Sequence, residues 1–322
     1  MVQSTRFSGR DYAAALAVIL IFGTNFVAMK VALRELTPFQ LGAGRYLFAV
    51  LPLVLFVRPP KLAPKWVLLY GLLQGVGQFG LLFVALRVGM SAALASVLLQ
   101  TQVFFTALFG SALLGERLGR PLRAGLVLAA AGLACFGAHY LSSASAIGGT
   151  TPAGFALCVA SAAMWAASNI VVRRAQRATP QFDVIRFMVW SSLVPIVPFA
   201  LLSFVFDPQA DHWALHSVSL NCLAALAYLG WFATILAYAL WTGLLKRHPA
   251  NRVAPFSLAV PLVGVAAGML ALGDEIIRWQ WAGIALLGAS LVVALGIGRR
   301  PSHQAIPSVA AAHGTIAKSQ HD

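Results

Sequence analysis

The sequence predicts an all-α integral membrane protein of ten transmembrane helices, arranged as two inverted five-helix repeats. Three observations carry this. Of 322 residues, 60% are hydrophobic and only 10% charged, where soluble globular chains carry about 25% charged residues. Apolar runs recur along the chain at the length of about 20 residues that a helix needs to cross hydrocarbon. Short motifs in the first half return in the second.

The runs fall approximately at 12–33, 38–57, 66–86, 92–114, 122–141, 152–172, 184–206, 219–243, 251–272 and 279–298. In lipid every backbone polar group must be paired within its own segment, so each run is expected to be a helix. The first run follows a short N-terminal stretch, 1–11, holding Arg6 and Arg10. It is too long for a cleaved signal sequence, and no small-residue cleavage site follows it. Runs one to five form a first repeat, 12–141, and runs six to ten a second, 152–298. The tail 299–322 is rich in Ala, Ser, His and Gln, lacks apolar periodicity, and is expected to be disordered.

Charge sets the expected orientation. Eighteen of the 23 Lys and Arg lie on the side of the two termini, four (Lys30, Arg34, Arg87 and Arg278) on the other, and Arg45 inside the second run. By the positive-inside rule both termini are cytoplasmic. The same clustering accounts for the net charge of +14 without nucleic acid as a partner. Cys135, Cys158 and Cys222 stand singly in apolar runs, which implies neither a disulfide framework nor a metal site. No phosphate-binding G-x-x-x-x-G-K-[ST] motif occurs, so the chain is not expected to hydrolyse ATP, and no ATPase subunit is implied.

The repeat shows at two places. Leu114-Gly115-Glu116, with Gly125 beyond it, matches Leu272-Gly273-Asp274, with Gly283 beyond it, at an offset of 158. Gln102 and Pro261 instead set Glu116 against Glu275, leaving a one-residue ambiguity. Asn25 with Lys30 parallels Asn169 with Arg174. Five helices per half is an odd number, so the halves enter the membrane from opposite sides. Inverted repeats of this kind build alternating-access carriers, with a substrate site near the midplane.

Polar residues inside the runs are the candidate substrate path, because they are costly in lipid and either pair with one another or line a cavity. Asn25 sits mid-run beside Thr24, suited to a zwitterionic amino acid or to a helix–helix hydrogen bond; Asn169 takes the mirrored place. Gln100 and Gln102 are two apart, about 200° around an α-helix, so one is expected to face the path and the other to pack. Gln74 and Gln78 are four apart and share a face, Gln78 being the better candidate. Arg45 either snorkels to the outer surface or meets a substrate carboxylate. Tyr238 offers a hydroxyl on an aromatic face, while Trp241 reads as an interface anchor. Pro195, Pro198, Pro255 and Pro261 predict kinks in the seventh and ninth runs. Glu116, Asp274 and Glu275 sit in turns beside cations, and no acid lies mid-run. His139 is the single histidine inside a run and reads as structural.

Several stretches go further. Gly23-Thr24-Asn25-Phe26-Val27, Gly89-Met90-Ser91-Ala92-Ala93-Leu94-Ala95-Ser96, Leu99-Gln100-Thr101-Gln102, Phe104-Phe105-Thr106 and Arg252-Val253-Ala254-Pro255-Phe256-Ser257-Leu258 resemble the EamA-type drug/metabolite transporters. The resemblance runs from about Tyr12 to Gly298 and is strongest to members that export O-acetylserine and cysteine. One departure is Asp274-Glu275-Ile276-Ile277, where the pattern has Glu-Arg-Leu. The resemblance implies a secondary exporter of small amino-acid metabolites in the bacterial cytoplasmic (inner) membrane. Its partners are a small-molecule substrate and the lipid bilayer, without a cofactor. Other amino acids or small drugs are the alternative cargo. A lipid-modifying membrane enzyme finds no support: His212 and His216 share a loop with Asp207 and Asp211, but nothing elsewhere completes a catalytic set.

Overall fold

The computed structural model describes residues 7–116, 118–142, 150–179, 182–207, 218–248, 253 and 256–294. Regular structure among them is helical: α1 (Gly9–Ala32), α2 (Pro38–Val50), α3 (Pro64–Arg87), α4 (Ala92–Leu114), α5 (Arg120–Ser142), α6 (Pro152–Ala178), α7 (Val184–Phe206), α8 (Leu220–Leu244), α9 (Ala259–Leu272) and α10 (Arg278–Ala294). Six of these described helices, α1, α3, α4, α6, α7 and α8, are long and apolar enough to cross a membrane. The others fill the remaining runs. His139's side chain, His212, His216, Asp211 and the tail beyond Ala294 lie outside the described residues.

Local sequence explains where helices start and break. Ser8, Thr37, Ser91, Thr151, Asp183 and Ser219 cap helices by accepting hydrogen bonds from first-turn amides, as short polar side chains do. The second run is α-helical only to Val50, because Pro52 cannot donate the next ladder bond, and a 3₁₀ turn, Leu53–Leu55, follows. In the seventh run the helix is interrupted between Ser191 and Ile196, at Pro195. The ninth run begins its regular helix at Ala259, well after residue 251, and Pro261 occupies the third helical position, where a missing amide costs nothing. Pro255 lies outside the described residues. Two π-helical stretches of nine residues each, Gly71–Phe79 in α3 and Tyr228–Leu236 in α8, sit at equivalent points of the two halves.

Several packing pairs recur when the halves are exchanged. α1 packs on α9 as α6 packs on α4, and α8 on α1 as α3 on α6. α2 meets α7, α5 meets α10, and α4 meets α9. The α4–α5 and α9–α10 turns also match. Gly115 and Gly273 have φ 67° and 68°, and the amides of Glu116 and Asp274 both reach back to a glycine carbonyl six residues earlier, at Gly110 and Gly268. Asp274, not Glu275, therefore takes the place of Glu116. Close approach fixes the centre: a Cβ on Gly264 of α9 would come within 2.5 Å of Ser96 in α4. Away from the spans, Glu35 in the α1–α2 turn accepts hydrogen bonds from the hydroxyl and amide of Ser219, which hold its carboxyl below the usual range.

Candidate functional site

A cavity of about 260 Å³ lies between the halves. It is lined by α1 (Asn25), α2 (Arg45), α3 (Gln74, Gln78), α4 (Ser96, Gln100, Gln102), α6 (Trp165) and α8 (Tyr238, Trp241), with Ser257 and Phe256 leading into α9. Asn25, Arg45, Gln78, Gln100, Gln102 and Tyr238, singled out from the sequence, are thus brought together. Asn169 is not on the wall. Its amide nitrogen donates to Gln102 Oε1 at 3.0 Å and to Thr106 Oγ1 at 3.1 Å, so it holds a residue that is.

The expectation that Gln100 and Gln102 cannot share a cavity is corrected. Residues Leu99–Thr101 form a 3₁₀ turn, with about three residues per turn. Side chains two apart then diverge less than on an α-helix, and both glutamines reach the cavity. Gln100 Nε2 donates to the Ser257 carbonyl at 3.2 Å, an oxygen just ahead of the start of α9. Arg45 does not snorkel: it is 2% exposed. Its Nη1 donates to Asn25 Oδ1 at 3.3 Å, its guanidinium lies 4.0 Å from the centre of the Phe79 ring, and its buried Nε has no hydrogen-bond partner. Gln74 donates to Gln78 at 3.0 Å and accepts from Ser168 at 2.6 Å. Trp241, expected at the interface, is on the cavity wall.

Sequence reasoning passed over Ser96, Trp165 and Phe79. Trp165 had a signal, standing one helical turn before Asn169. Ser96 had one too, as the last residue of a stretch that carries the family resemblance. Phe79 had none, since its role depends on where Arg45 points.

The ends of the cavity differ. Toward the C-terminal end of α1, one turn of α3 separates Leu82, on the cavity, from Leu86, on a second cavity of about 330 Å³. That outer cavity is lined by Lys30, Arg34, Arg87 and Asp274 and shares no lining residue with the first. Toward the N-terminal end of α1, Phe256 stands between the cavity and an aromatic cluster. Phe7 meets it edge-on at 5.6 Å and stacks on His248 at 4.1 Å. His248 Nε2 is 3.0 Å from Asp11, which joins the ends of α1 and α8.

A cavity walled by amides, one guanidinium and aromatic rings, enclosed by apolar helices, fits a multi-pass membrane transport protein. Among the described residues no group of His, Cys, Asp and Glu could hold a metal ion. The profile of the EamA-like transporter family matches residues 11–138 and again 152–296. The chain belongs to the EamA-like transporter family, whose members are transporters and not enzymes. It is 39% identical over 289 residues to a probable amino-acid metabolite efflux pump of Salmonella typhimurium, covering 89% of this chain and 95% of the relative. It is 36% identical over 288 residues to a protein of the same description from Escherichia coli, with the same coverage. A solved crystal structure, 21% identical, superposes with a TM-score of 0.58 over 90% of this chain and 99% of that one, a likeness of fold alone.

Proposed function

We propose that the protein exports small amino-acid metabolites, O-acetylserine and cysteine foremost, from the cytoplasm across the bacterial cytoplasmic membrane. Both termini are cytoplasmic, and the halves 12–141 and 152–298 are inverted repeats that alternate access to the central cavity. The carrying observation is that cavity, where polar side chains from both halves converge between apolar helices. Asn25, Arg45, Gln78, Gln100, Gln102 and Tyr238 contact the cargo, and Asn169 positions Gln102. Further support comes from the charge bias along the chain, from the matching turns and packing of the halves, and from the description of the two bacterial relatives as amino-acid metabolite efflux pumps. The cavity has room for a molecule of amino-acid size, and its amides supply both donors and acceptors without fixing charge.

Overexpression in a bacterial host, followed by assay of the medium, tests this. Extracellular O-acetylserine and cysteine are expected to rise several-fold over an empty-vector strain. Unchanged efflux with the protein verified in the membrane would sink the substrate assignment. Gln100→Ala is expected to lower efflux without loss of inserted protein.

A further inference from the structure

Among the described residues Arg45 has no counter-ion. An ionised side chain buried in a membrane bundle is costly and is normally paired. Here Phe79 covers the guanidinium at 4.0 Å, a single amide oxygen takes Nη1 at 3.3 Å, and Nε is unpartnered. The acids that the structure describes are engaged elsewhere or stand outside the cavity. Asp11 faces Arg247 and His248, Glu35 holds Ser219, and Glu116 pairs with Arg173 and Arg177. Asp183 pairs with Arg186, Asp207 accepts from Thr37 and Ser203, and Asp274 accepts from the Ala93 amide. Among the described residues no carboxylate lines the cavity.

We infer that the cavity selects its cargo by the carboxylate alone: Arg45 binds that group and nothing in the site requires the amino group. A carboxylate is planar and negative and matches the guanidinium fork with two parallel hydrogen bonds. It would satisfy the free Nε and neutralise the buried charge in one step. An ammonium gains no such partner. It meets neutral oxygens and ring faces but no carboxylate among the described lining residues, and it stands near a like charge in a medium of low dielectric, where repulsion is strong. The cargo class is therefore small monocarboxylic acids, with α-amino acids as one subset. The inference rests on the proposed reading of this cavity as the transport site.

The test uses the purified full chain with four compounds: cysteine, 3-mercaptopropionate (cysteine without its amino group), cysteamine (cysteine without its carboxylate) and cysteine methyl ester (its carboxylate masked). Binding is followed by tryptophan fluorescence, since Trp165 and Trp241 line the cavity. The same compounds then compete against labelled cysteine in proteoliposome counterflow. 3-Mercaptopropionate is expected to bind within about threefold of cysteine. Cysteamine and cysteine methyl ester should bind at least about 30-fold more weakly, the scale of losing one partner of a buried charge pair. Arg45→Lys, which keeps the charge and loses the fork, should weaken both acids about equally. Cysteamine binding as well as cysteine, or 3-mercaptopropionate failing where cysteine binds, would overturn the inference. Selective binding of the acids without counterflow of cysteine would uphold it while rejecting the proposed export activity.

Discussion

Asn25 in α1 and Asn169 in α6 occupy matching places in the two halves, yet they do different work. Asn25 lines the cavity, and its oxygen accepts a weak bond, 3.3 Å, from a guanidinium whose buried Nε has no hydrogen-bond partner. Asn169 is off the wall and spends its amide on two neighbours, Gln102 and Thr106. The first corner is polar and under-satisfied; the second is polar and closed on itself. In lipid an unpaired polar group is expensive, so the open corner persists only where something else completes it. The comparison teaches that equivalence of position in a repeated fold does not carry equivalence of role.

Paired substitutions give the largest expected contrast. Asn25→Ala should cut O-acetylserine and cysteine efflux at least about tenfold, a loss of 1.4 kcal/mol or more of binding, and should also lower thermal stability in detergent, because it strips the buried guanidinium of the oxygen that holds Nη1. Asn169→Ala should spare efflux far more. It removes two interhelical hydrogen bonds, worth about 0.6 kcal/mol each on average, so the melting temperature drops while efflux falls by only a few-fold, through a looser Gln102. Equal loss of efflux in both variants, each well inserted, would erase the distinction between the corners.

A smaller contrast separates the α4–α5 and α9–α10 turns. Their backbones agree, but their acids do not. Glu116 forms ion pairs with Arg173 and Arg177 on a surface where its side chain is 39% exposed. Asp274 accepts the Ala93 amide at 2.9 Å in the first turn of α4, where a carboxylate also complements the helix dipole. Asp274→Ala is expected to cost about 1 kcal/mol, like loss of a helix cap. Glu116→Ala should cost less than about 1 kcal/mol, and less still in high salt, because exposed ion pairs are screened. Chemical denaturation of both variants at two salt concentrations checks this; a larger, salt-sensitive loss at Asp274 would invert the assignment.

Much of this was legible in the sequence, for a physical reason. A polar residue in an apolar run is rare because it is costly, so Asn25, Arg45, Gln78, Gln100, Gln102 and Tyr238 announced themselves. What stayed hidden depended on local departures from the ideal α-helix. The 3₁₀ turn at Leu99–Thr101 puts both glutamines on the cavity, and no propensity in Leu-Gln-Thr signals it. Trp241 was ambiguous because an amphipathic ring suits an interface as well as a cavity. Whether Asp274 or Glu275 answers to Glu116 needed the backbone, since both are acids and the alignment slips by one. The pairing of Asn169 with Gln102 and Thr106 required knowing that α6 packs on α4.

The finest comparison expects no difference at all. Gly115 and Gly273 close α4 and α9 in the left-handed region, at φ 67° and 68°, a conformation in which a β-carbon clashes with the next carbonyl. A Cβ added at either would find no heavy atom within 4 Å, so neighbours contribute nothing and the dihedral alone sets the cost. Gly115→Ala and Gly273→Ala should therefore each destabilise by about 1 kcal/mol, agreeing within roughly 0.5 kcal/mol, and the double variant should show their sum, as distant sites do. Asn at either place should cost less than Ala, since Asn tolerates this region. A neutral Gly273→Ala beside a costly Gly115→Ala would mean that one turn relaxes where the other cannot, and the equivalence of the two turns would fail at the backbone itself.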